Sequence, residues 1–465
     1  MAQRLEKKFG LATAVCMVVG IVIGSGVFFK AQDILHDTGG DMPLGILAWA
    51  IGGVVMLICA VNFSTLATRY EKVNGIVDYA EAMLGEKYAY YVGWFMAVLY
   101  YPAMTSVLAW VSARYTLALF GNGEMAGGLC MALAALYLCG SYVLNALGPR
   151  AAGRFQVVTT LVKLLPLLLM ALAGTLAGLR TGNTASAFHT GRTGGGAAPL
   201  FAATVAAAFA YEGWIIATSI NTELHNAKRN LPIALVAGCL VIAFVYIAYY
   251  IGLAGAAPVA ALMEHGSQAA FTDLFGRVGG GVLNAFVVVS CLGTLNGLMF
   301  AVTRGLYAVA IRGHGPKPAV FSEISPTTNM PVNASVAALG LCALWMFYFY
   351  GANLTAPIFG LFSFDSSELP IITIYGFYLP IFWRMLRQHS ALGPWRGLIL
   401  PILGLCSAAF MVFSALYAHG VAPCREAAAQ GRFSFPVGFY LLVFAAVMAL
   451  GRVFYRPHVT EEAAP

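Results

Sequence analysis

Charged residues are scarce in this sequence. Only 10% of its 465 residues are Asp, Glu, Lys or Arg, whereas 60% are hydrophobic, and the mean hydropathy is +0.80. A soluble domain of this length cannot bury so much apolar surface. The scarcity of charge therefore excludes an ordinary soluble protein and indicates a polytopic membrane protein.

Patterns typical of disulfides, metal sites and catalysis are missing as well. The nine cysteines are odd in number and scattered, with no C-x-x-C spacing, which argues against a disulfide framework and a zinc site. No His/Glu metal pair or Ser–His arrangement falls in the apolar runs, so we expect neither an enzyme nor a metal or other cofactor. The basic residues are dispersed among short loops, which argues against nucleic-acid binding. The lipid bilayer is the partner that the composition predicts.

Twelve apolar runs are long enough to cross a bilayer, and we number them spans 1 to 12. They are residues 9–36, 43–67, 88–120, 126–147, 154–179, 198–224, 231–257, 280–312, 333–350, 356–385, 397–419 and 435–455. The sequence thus predicts an all-α protein of twelve transmembrane helices, with helices 1 and 6 discontinuous.

The distribution of Lys and Arg predicts the orientation of the chain. With the N-terminus inside, eighteen basic residues lie on the cytoplasmic side and seven on the other, with Lys163 left within span 5. The basic first eight residues show no cleavable signal pattern. We therefore expect a multi-pass protein of the cell membrane with both termini in the cytoplasm.

Span 1 carries the stretch Gly20-Ile21-Val22-Ile23-Gly24-Ser25-Gly26-Val27-Phe28. Three glycines in seven residues weaken a helix by about 1 kcal/mol each. A broken helix is tolerated in lipid only where its backbone is buried in protein or lines a cavity. The freed amides of the second half-helix suit an anion such as a carboxylate. The alternative is close helix packing through small residues.

Span 6 has a corresponding interruption, Phe209-Ala210-Tyr211-Glu212-Gly213-Trp214. Spans 1 and 6 are the first members of two sets of five, and paired interruptions of this kind indicate an inverted repeat with the substrate site at the midplane. We predict one repeat in residues 1–180 and the second in 195–385. Spans 11 and 12, in residues 396–456, lie outside this five-plus-five core.

Two ionisable residues fall near the middle of spans, where charge is costly. Glu212 is either an acid that pairs with a cationic substrate or titrates during transport, or a protonated acid bonded to backbone. Lys163 either bridges helices 1 and 8 where another transporter holds a sodium ion, or extends to the cytoplasmic interface.

Asp365 and Glu368 occur three residues apart in span 10, which places them on one helical face. Such a pair suits a cationic ligand or proton coupling. The alternative is that residues 364–370 bound a shorter helix and are solvated. We expect Phe209 and Trp214 to act as gating aromatics, although aromatic residues in spans more often pack. Thr294 in span 8 supplies either polarity to the substrate site or an interhelical hydrogen bond.

Several stretches together resemble the amino acid–polyamine–organocation superfamily, in particular its L-type amino acid transporter-like branch. The resemblance extends to about residue 385 and includes Lys163 ahead of Pro166. The other stretches that carry it are residues 20–28, 209–214, 221–232 and 296–310 with Gly313 and Pro316.

The resemblance implies a LeuT-like transporter that moves amino acids without sodium, by exchange or with protons. Carried over by position, the amides of Gly24, Ser25 and Gly26 hold the substrate carboxylate. Carbonyls near Ile21, and near Phe209 with its neighbour Ala210, take the amine.

The resemblance also assigns roles to three charged or aromatic groups and to one loop. Phe209 occludes the site, and Lys163 replaces the charge of sodium. An acid at the position of Glu212 accompanies recognition of cationic side chains in relatives. Members that pair with a heavy chain carry a cysteine in the loop after helix 3, which is absent from Gly121-Asn122-Gly123-Glu124-Met125, so no heavy-chain subunit is expected.

The leading hypothesis is a sodium-independent amino acid transporter working by alternating access, with a cationic substrate. A small neutral amino acid fits the family at large. A polyamine lacks a carboxylate and leaves the span 1 amides without a role. A channel or receptor without coupled transport would carry a polar stripe along several helices or a sizeable extramembrane domain, and neither is evident.

Overall fold

The computed structural model describes residues 5–71, 74–120, 127–189, 197–352, 357–431 and 433–456. Regular structure in these ranges is helical, apart from one isolated parallel β-bridge between Phe9 and Leu224. Helices satisfy their own backbone polar groups, which a chain surrounded by lipid requires.

The first half of the chain forms spans 1 to 5. Its helices are α1 (Leu11–Val22), α2 (Gly26–Asp37), α3 (Met42–Ala67), α4 (Gly75–Leu84), α5 (Glu86–Phe95), α6 (Tyr101–Leu119), α7 (Gly128–Leu147), α8 (Pro149–Leu169), α9 (Thr175–Thr181) and α10 (Asn183–His189). π-Helical turns join α5 to α6 and α8 to α9, so spans 3 and 5 are each continuous.

The second half forms the remaining spans. Its helices are α11 (Ala197–Tyr211), α12 (Ala227–Ala256), α13 (Val259–His265), α14 (Ser267–Ala310), α15 (Pro318–Phe321), α16 (Val332–Ala352), α17 (Pro370–Arg387), α18 (His389–Pro394), α19 (Leu400–Leu416), α20 (Ala422–Ala429) and α21 (Pro436–Phe454). A 3-10 helix over Trp214–Glu223 follows α11 and completes span 6.

Eleven helical segments of the described chain are long and apolar enough to cross a membrane, and they correspond to every predicted span except span 10. Span 10 was predicted over 356–385, but its helix α17 begins only at Pro370 and has 18 residues. At 1.5 Å per residue it is about 27 Å long, close to the thickness of the hydrocarbon core. Its last turn carries Arg384 and Arg387, which lowers its apolarity.

The two broken spans lie together at the centre of the bundle. Helix α11 packs against α2, and the 3-10 helix after α11 packs against α1. Helices α3, α12, α8 and α14 pack against this pair. The breaks are therefore surrounded by protein, as the prediction from span 1 requires. The division into residues 1–180, 195–385 and 396–456 stays a prediction.

Residues 5–9 close one end of the bundle. The amides of Lys8 and Phe9 donate to the carbonyl of Glu223 at 2.7 and 3.0 Å, and the amide of His225 donates to the carbonyl of Phe9 at 2.9 Å. This short segment thereby joins the start of span 1 to the end of span 6.

Candidate functional site

The break in span 1 consists of three residues between two half-helices. Helix α1 ends at Val22 and α2 begins at Gly26. The first amides of α2 have no preceding helical turn to bond with, and the helix dipole makes this end attractive to anions. A Cβ at Gly26 would lie 3.3 Å from the Ala210 Cα, so the two breaks touch.

The break in span 6 depends on a glycine. Gly213 has φ +105°, a conformation that L side chains rarely adopt, and it separates α11 from the 3-10 helix. A Cβ at this position would also meet Ile21 at 2.9 Å. Gly213 thus permits both the turn and the close approach of the two breaks.

Lys163 on span 5 forms hydrogen bonds with the backbone at the break of span 1. Its fully buried ammonium donates to the carbonyls of Gly20 at 2.6 Å and Ile23 at 2.7 Å. It also lies 3.2 Å from Oγ1 of Thr294 on α14. The side chain therefore joins spans 5, 1 and 8 and does not extend to an interface, so the snorkelling alternative does not describe it.

Hydroxyl groups complete this support. Oγ1 of Thr294 is 3.0 and 3.2 Å from the same two carbonyls of span 1. Ser290, one helical turn earlier, lies 3.2 Å from the carbonyls of Ile23 and Gly24. On the opposite side, the Tyr246 hydroxyl lies 3.0 Å from the carbonyl of Val22 and 3.1 Å from that of Ala210. Because one hydroxyl has a single proton, Tyr246 bonds one of these carbonyls at a time.

A cavity lies between the two breaks. Its lining combines the backbone of both breaks with apolar side chains and few polar ones. The lining residues are Ile21, Val22, Gly24, Ser25, Gly26, Tyr100, Met104, Leu108, Phe209, Ala210, Glu212, Gly213, Ile216, Thr294 and Leu298. Every residue that the sequence assigned to substrate binding lies in this lining.

The backbone carbonyl of Ile21, a residue of the cavity lining, has no hydrogen-bond donor among the described residues. The neighbouring carbonyls of Gly20, Val22 and Ile23 accept hydrogen bonds from Lys163, Tyr246 and Thr294, whereas that of Ile21 has no donor among the residues described. The sequence had assigned Ile21 to the substrate amine, and an unoccupied acceptor at the cavity wall has the chemistry for that role.

Glu212 is the only Asp, Glu, Lys or Arg among the described residues that line the cavity. Its Oε1 accepts a 2.5 Å hydrogen bond from the hydroxyl of Tyr100. Its Oε2 is buried and has no hydrogen-bond partner in the described part of the chain. Glu212 thus lines the cavity with one carboxylate oxygen bonded to Tyr100 and the other buried without a partner among the described residues.

The ring of Phe209 lies against the second half of span 1. Its centroid is 6.2 Å from that of Phe29 and 5.3 Å from the Lys30 ammonium. Phe209 is thus both a wall of the cavity and a contact of α2. Trp214, the other predicted gating residue, is not in the lining; it is fully buried and packs against Phe63 and Tyr378 at 5.9 and 6.2 Å.

The prediction that Asp365 and Glu368 share a helical face is wrong. Both precede α17, in an irregular segment that ends at Leu369. Asp365 accepts bonds from the amide and hydroxyl of Ser367 at 2.7 and 2.5 Å. Glu368 forms an ion pair with Lys30. Neither residue lines the cavity. Asp365 is exposed, as the alternative of a shorter, solvated helix boundary expects, whereas Glu368 is buried.

A buried ion cluster lies at the end of span 6. Arg304 on α14 pairs with Glu223 through its Nε and, at 2.9 Å, through its second terminal nitrogen. Lys8 adds a 3.2 Å contact to the same carboxylate. Burial lowers the pKa of the Lys8 ammonium even though Glu223 opposes the shift. Within the described residues, no group of three His, Cys, Asp or Glu side chains is placed to hold a metal ion.

The sequence model described as amino acid permease matches residues 9–447. This chain belongs to the amino acid permease family. The permease is 29% identical over 422 residues to the serine/threonine exchanger SteT of Bacillus subtilis (strain 168), a match that covers 89% of this chain and 92% of SteT.

Mammalian relatives and one solved structure extend the comparison. The permease is 27% identical to the mouse b(0,+)-type amino acid transporter 1, over 88% of this chain and 82% of the relative. It is 26% identical to the human cystine/glutamate transporter, over 74% and 68% respectively. The crystal structure of MhsT in complex with L-phenylalanine matches with a TM-score of 0.61 at 14% identity, over 90% of this chain and all of MhsT. The permease therefore has the LeuT-like fold that its two broken spans predict, and it is a multi-pass amino acid transporter of the amino acid–polyamine–organocation superfamily.

Several functional residues were not found from the sequence. Tyr100 and Tyr246 are polar groups in apolar spans, but nothing in the sequence indicates that one bonds Glu212 and the other both breaks. Lys30 was counted only for orientation. The loop of residues 121–125, on which the expected absence of a heavy-chain subunit rests, lies outside the described residues.

Proposed function

We propose that this permease is a sodium-independent exchanger of cationic amino acids. The observation that carries the proposal is the Glu212 carboxyl group in the lining of a cavity between two broken helices, with one of its oxygens left without a partner among the described residues. The substrate carboxylate binds the amides of Gly24, Ser25 and Gly26. The amine binds the Ile21 carbonyl beside span 6, and the side chain extends to Glu212.

Lys163 supports the absence of a sodium requirement. Its ammonium already bonds the Gly20 and Ile23 carbonyls and contacts Thr294. These are oxygen atoms of the kind that coordinate a hard cation. A bound sodium ion next to this fixed positive charge would be repelled, so substrate binding proceeds without one.

A small neutral amino acid is the second candidate. Tyr100 already occupies one oxygen of Glu212, and the walls formed by Met104, Leu108, Ile216 and Leu298 are apolar. SteT, by its name, exchanges serine and threonine. In this case Glu212 accepts a hydrogen bond from a side-chain hydroxyl or carries a proton during transport.

We also propose that both termini are cytoplasmic and that the permease works without a heavy-chain subunit. The orientation has the support of the excess of Lys and Arg on one side. By this orientation, residues 5–9 close the cytoplasmic end and α2 leads to the outer end.

Ligand-dependent stabilisation of the purified permease tests the substrate class. A ligand that binds only the folded protein raises its apparent stability by RT ln(1 + [L]/Kd). Arginine, lysine or ornithine should raise the thermal midpoint in sodium-free buffer, whereas cadaverine, which lacks the carboxylate, should not. Stabilisation by serine or threonine alone would favour the second candidate, and stabilisation only in the presence of sodium would contradict the role of Lys163.

A further inference from the structure

A charged side chain lies over the aromatic ring that forms one wall of the cavity. Lys30 is on α2, five residues after the break, and its ammonium is 5.3 Å from the centroids of both Phe29 and Phe209. A cation at this distance from a ring face is attracted by the negative charge density of the ring. Lys30 therefore stabilises the position of Phe209 against α2.

Lys30 is in turn held by a distant carboxylate. Its ammonium pairs with Glu368 and, at 2.9 Å, with Asp33 on its own helix. The Asp33 side chain is about half exposed, at 47%, whereas that of Glu368 is 11% exposed. An enclosed ion pair is screened less than an exposed one, so Glu368 is the stronger of the two partners.

The Glu368 side chain is not positioned by a regular helix. It lies in the irregular segment ahead of α17, where backbone geometry does not fix its direction as a helix would. Its other carboxylate oxygen, Oε2, is 3.1 Å from Nε2 of His419, a close contact whose angles do not make a hydrogen bond in this structure. One carboxylate therefore has Lys30 on one oxygen and His419 on the other.

His419 comes from span 11, which lies outside the five-plus-five core. It belongs to the π-helical turn Tyr417–Val421 between α19 and α20. Such a turn adds one residue to a helical repeat and redirects the side chains around it, and such turns are frequent at functional sites. The turn contacts α11, the first half of span 6, as well as α21.

We propose that His419 is a positioning residue for the outer closure of the cavity. Its imidazole orients the Glu368 carboxylate so that the carboxylate holds Lys30 over Phe209, and span 11 thereby acts on the gating aromatic through one shared acid. The inference rests on the proposed transport function, because it is the movement of Phe209 and α2 that admits the substrate. It also gives Glu368 a role that the substrate site does not use.

The test measures how readily the outer end of the cavity opens, in a form that needs no transport. Leu108, in the cavity lining, is replaced by cysteine in a background where the exposed Cys139 and Cys406 are serine. A membrane-impermeant thiol reagent is then added to proteoliposomes, and its reaction rate is compared with that of the same protein lacking the Leu108→Cys change.

His419→Leu should raise the labelling rate about fivefold, which corresponds to about 1 kcal/mol. His419→Gln, whose amide is able to donate to Glu368, should restore the rate to within about twofold of the original. The matched control is His265→Leu, because His265 is exposed on α13 and lies 3.7 Å from the exposed Glu264; it should leave the rate unchanged.

A double substitution separates positioning from packing. In a Glu368→Gln background, which should itself label at least fivefold faster, His419→Leu should add nothing, since its effect passes through the carboxylate. The proposal would be overturned if His419→Leu labelled at the wild-type rate. It would also be overturned if His419→Leu raised the labelling rate as much in the Glu368→Gln background as in the original protein. If His419→Leu does not fold, a wild-type rate in Glu368→Gln alone overturns it.

Failure of the proposed function is a separate observation. If the proposed function is wrong, arginine, lysine and ornithine do not stabilise the unmodified permease. The ratio of the labelling rate of His419→Leu to that of the original protein is then unaffected. Failure of the His419 proposal would appear as equal labelling rates in a permease that arginine still stabilises.

Discussion

The hydroxyl of Tyr100 and the carboxylate of Glu212 form a 2.5 Å hydrogen bond at the wall of the cavity. Tyr100 ends the π-helical turn that joins α5 to α6, and Glu212 lies at the break of span 6. The bond fixes one carboxylate oxygen and leaves the other, Oε2, without a partner among the described residues. Span 3 thus orients the acid that lines the cavity.

Replacement of Glu212 should change selectivity more than stability. Glu212→Gln keeps the size of the side chain and removes its charge, and a hydrogen bond to a charged group is worth about 1.5–3 kcal/mol. The Kd for arginine and lysine should rise by about tenfold or more, whereas that for serine should change by less than threefold. Thermal stabilisation across a series of ligand concentrations measures both constants.

Tyr100→Phe is the matched control for Glu212→Gln. It removes the hydrogen bond but keeps the carboxylate, so arginine should still stabilise the protein more strongly than it stabilises Glu212→Gln. Equal affinities for arginine in the original permease and in Glu212→Gln would make the acid a structural group.

A side chain at Gly26 should block substrate binding. A Cβ there would lie 3.3 Å from the Ala210 Cα, tighter than most real contacts, and its backbone neighbour cannot rotate away. Gly26→Leu should therefore fill the space in front of the break and abolish stabilisation by every amino acid tested. Gly140→Leu is the control, because no atom lies within 4 Å of a Cβ at Gly140. Unchanged uptake by Gly26→Leu would contradict the assignment of the carboxylate site.

Loss of the Lys163 ammonium should destabilise the break of span 1. In Lys163→Met, the hydroxyl of Thr294 is the remaining side-chain group within hydrogen-bond distance of both the Gly20 and the Ile23 carbonyl. A buried acceptor that loses its partner costs about 1–3 kcal/mol. We expect a lower thermal midpoint and at least tenfold weaker binding of arginine. Lys87→Met, which removes an exposed lysine, should have neither effect. A Lys163→Met variant that binds arginine normally would show that the ammonium is dispensable.

The position of the cavity could be predicted because its signals are local. The glycines of span 1 and the Glu212-Gly213 pair interrupt apolar runs in which nothing else explains them, and both interruptions line the cavity. For Lys163 the sequence left two possibilities, a bridge between spans 1 and 8 or an extension to the cytoplasmic interface, and the side chain bonds or contacts both spans.

The partners of these groups could not be predicted, because they are distant in the sequence. Lys30 and Glu368 are brought together by the packing of α2 near the segment before α17, and no local pattern encodes that pairing. A local signal for the start of α17 was present after Asp365 and Glu368, but it lies inside an apolar run and was therefore hidden. Pro370 is favoured in the first turn of a helix, where its missing amide costs nothing, and α17 does begin there.

Replacing Arg304 alone should destabilise the permease more than replacing both Arg304 and Glu223. Both side chains are fully buried, and an uncompensated buried charge typically costs 3–5 kcal/mol. Arg304→Met should therefore lower the thermal midpoint strongly, even though Lys8 still contacts Glu223.

The double substitution Arg304→Met with Glu223→Gln should regain part of that loss, because it leaves no unpaired carboxylate. The thermal midpoints of the single and double variants in detergent measure this coupling. A double variant less stable than Arg304→Met alone would contradict this account of the cluster.

Sodium-free exchange tests the central claim most directly. Proteoliposomes loaded with unlabelled arginine are diluted into labelled arginine in a choline buffer with equal pH on both sides, and internal label is followed with time. The account predicts a transient accumulation of label that depends on internal arginine, is unaffected by added sodium, and is lost in Gly26→Leu. Accumulation that requires sodium, or that proceeds equally from empty vesicles, would contradict it.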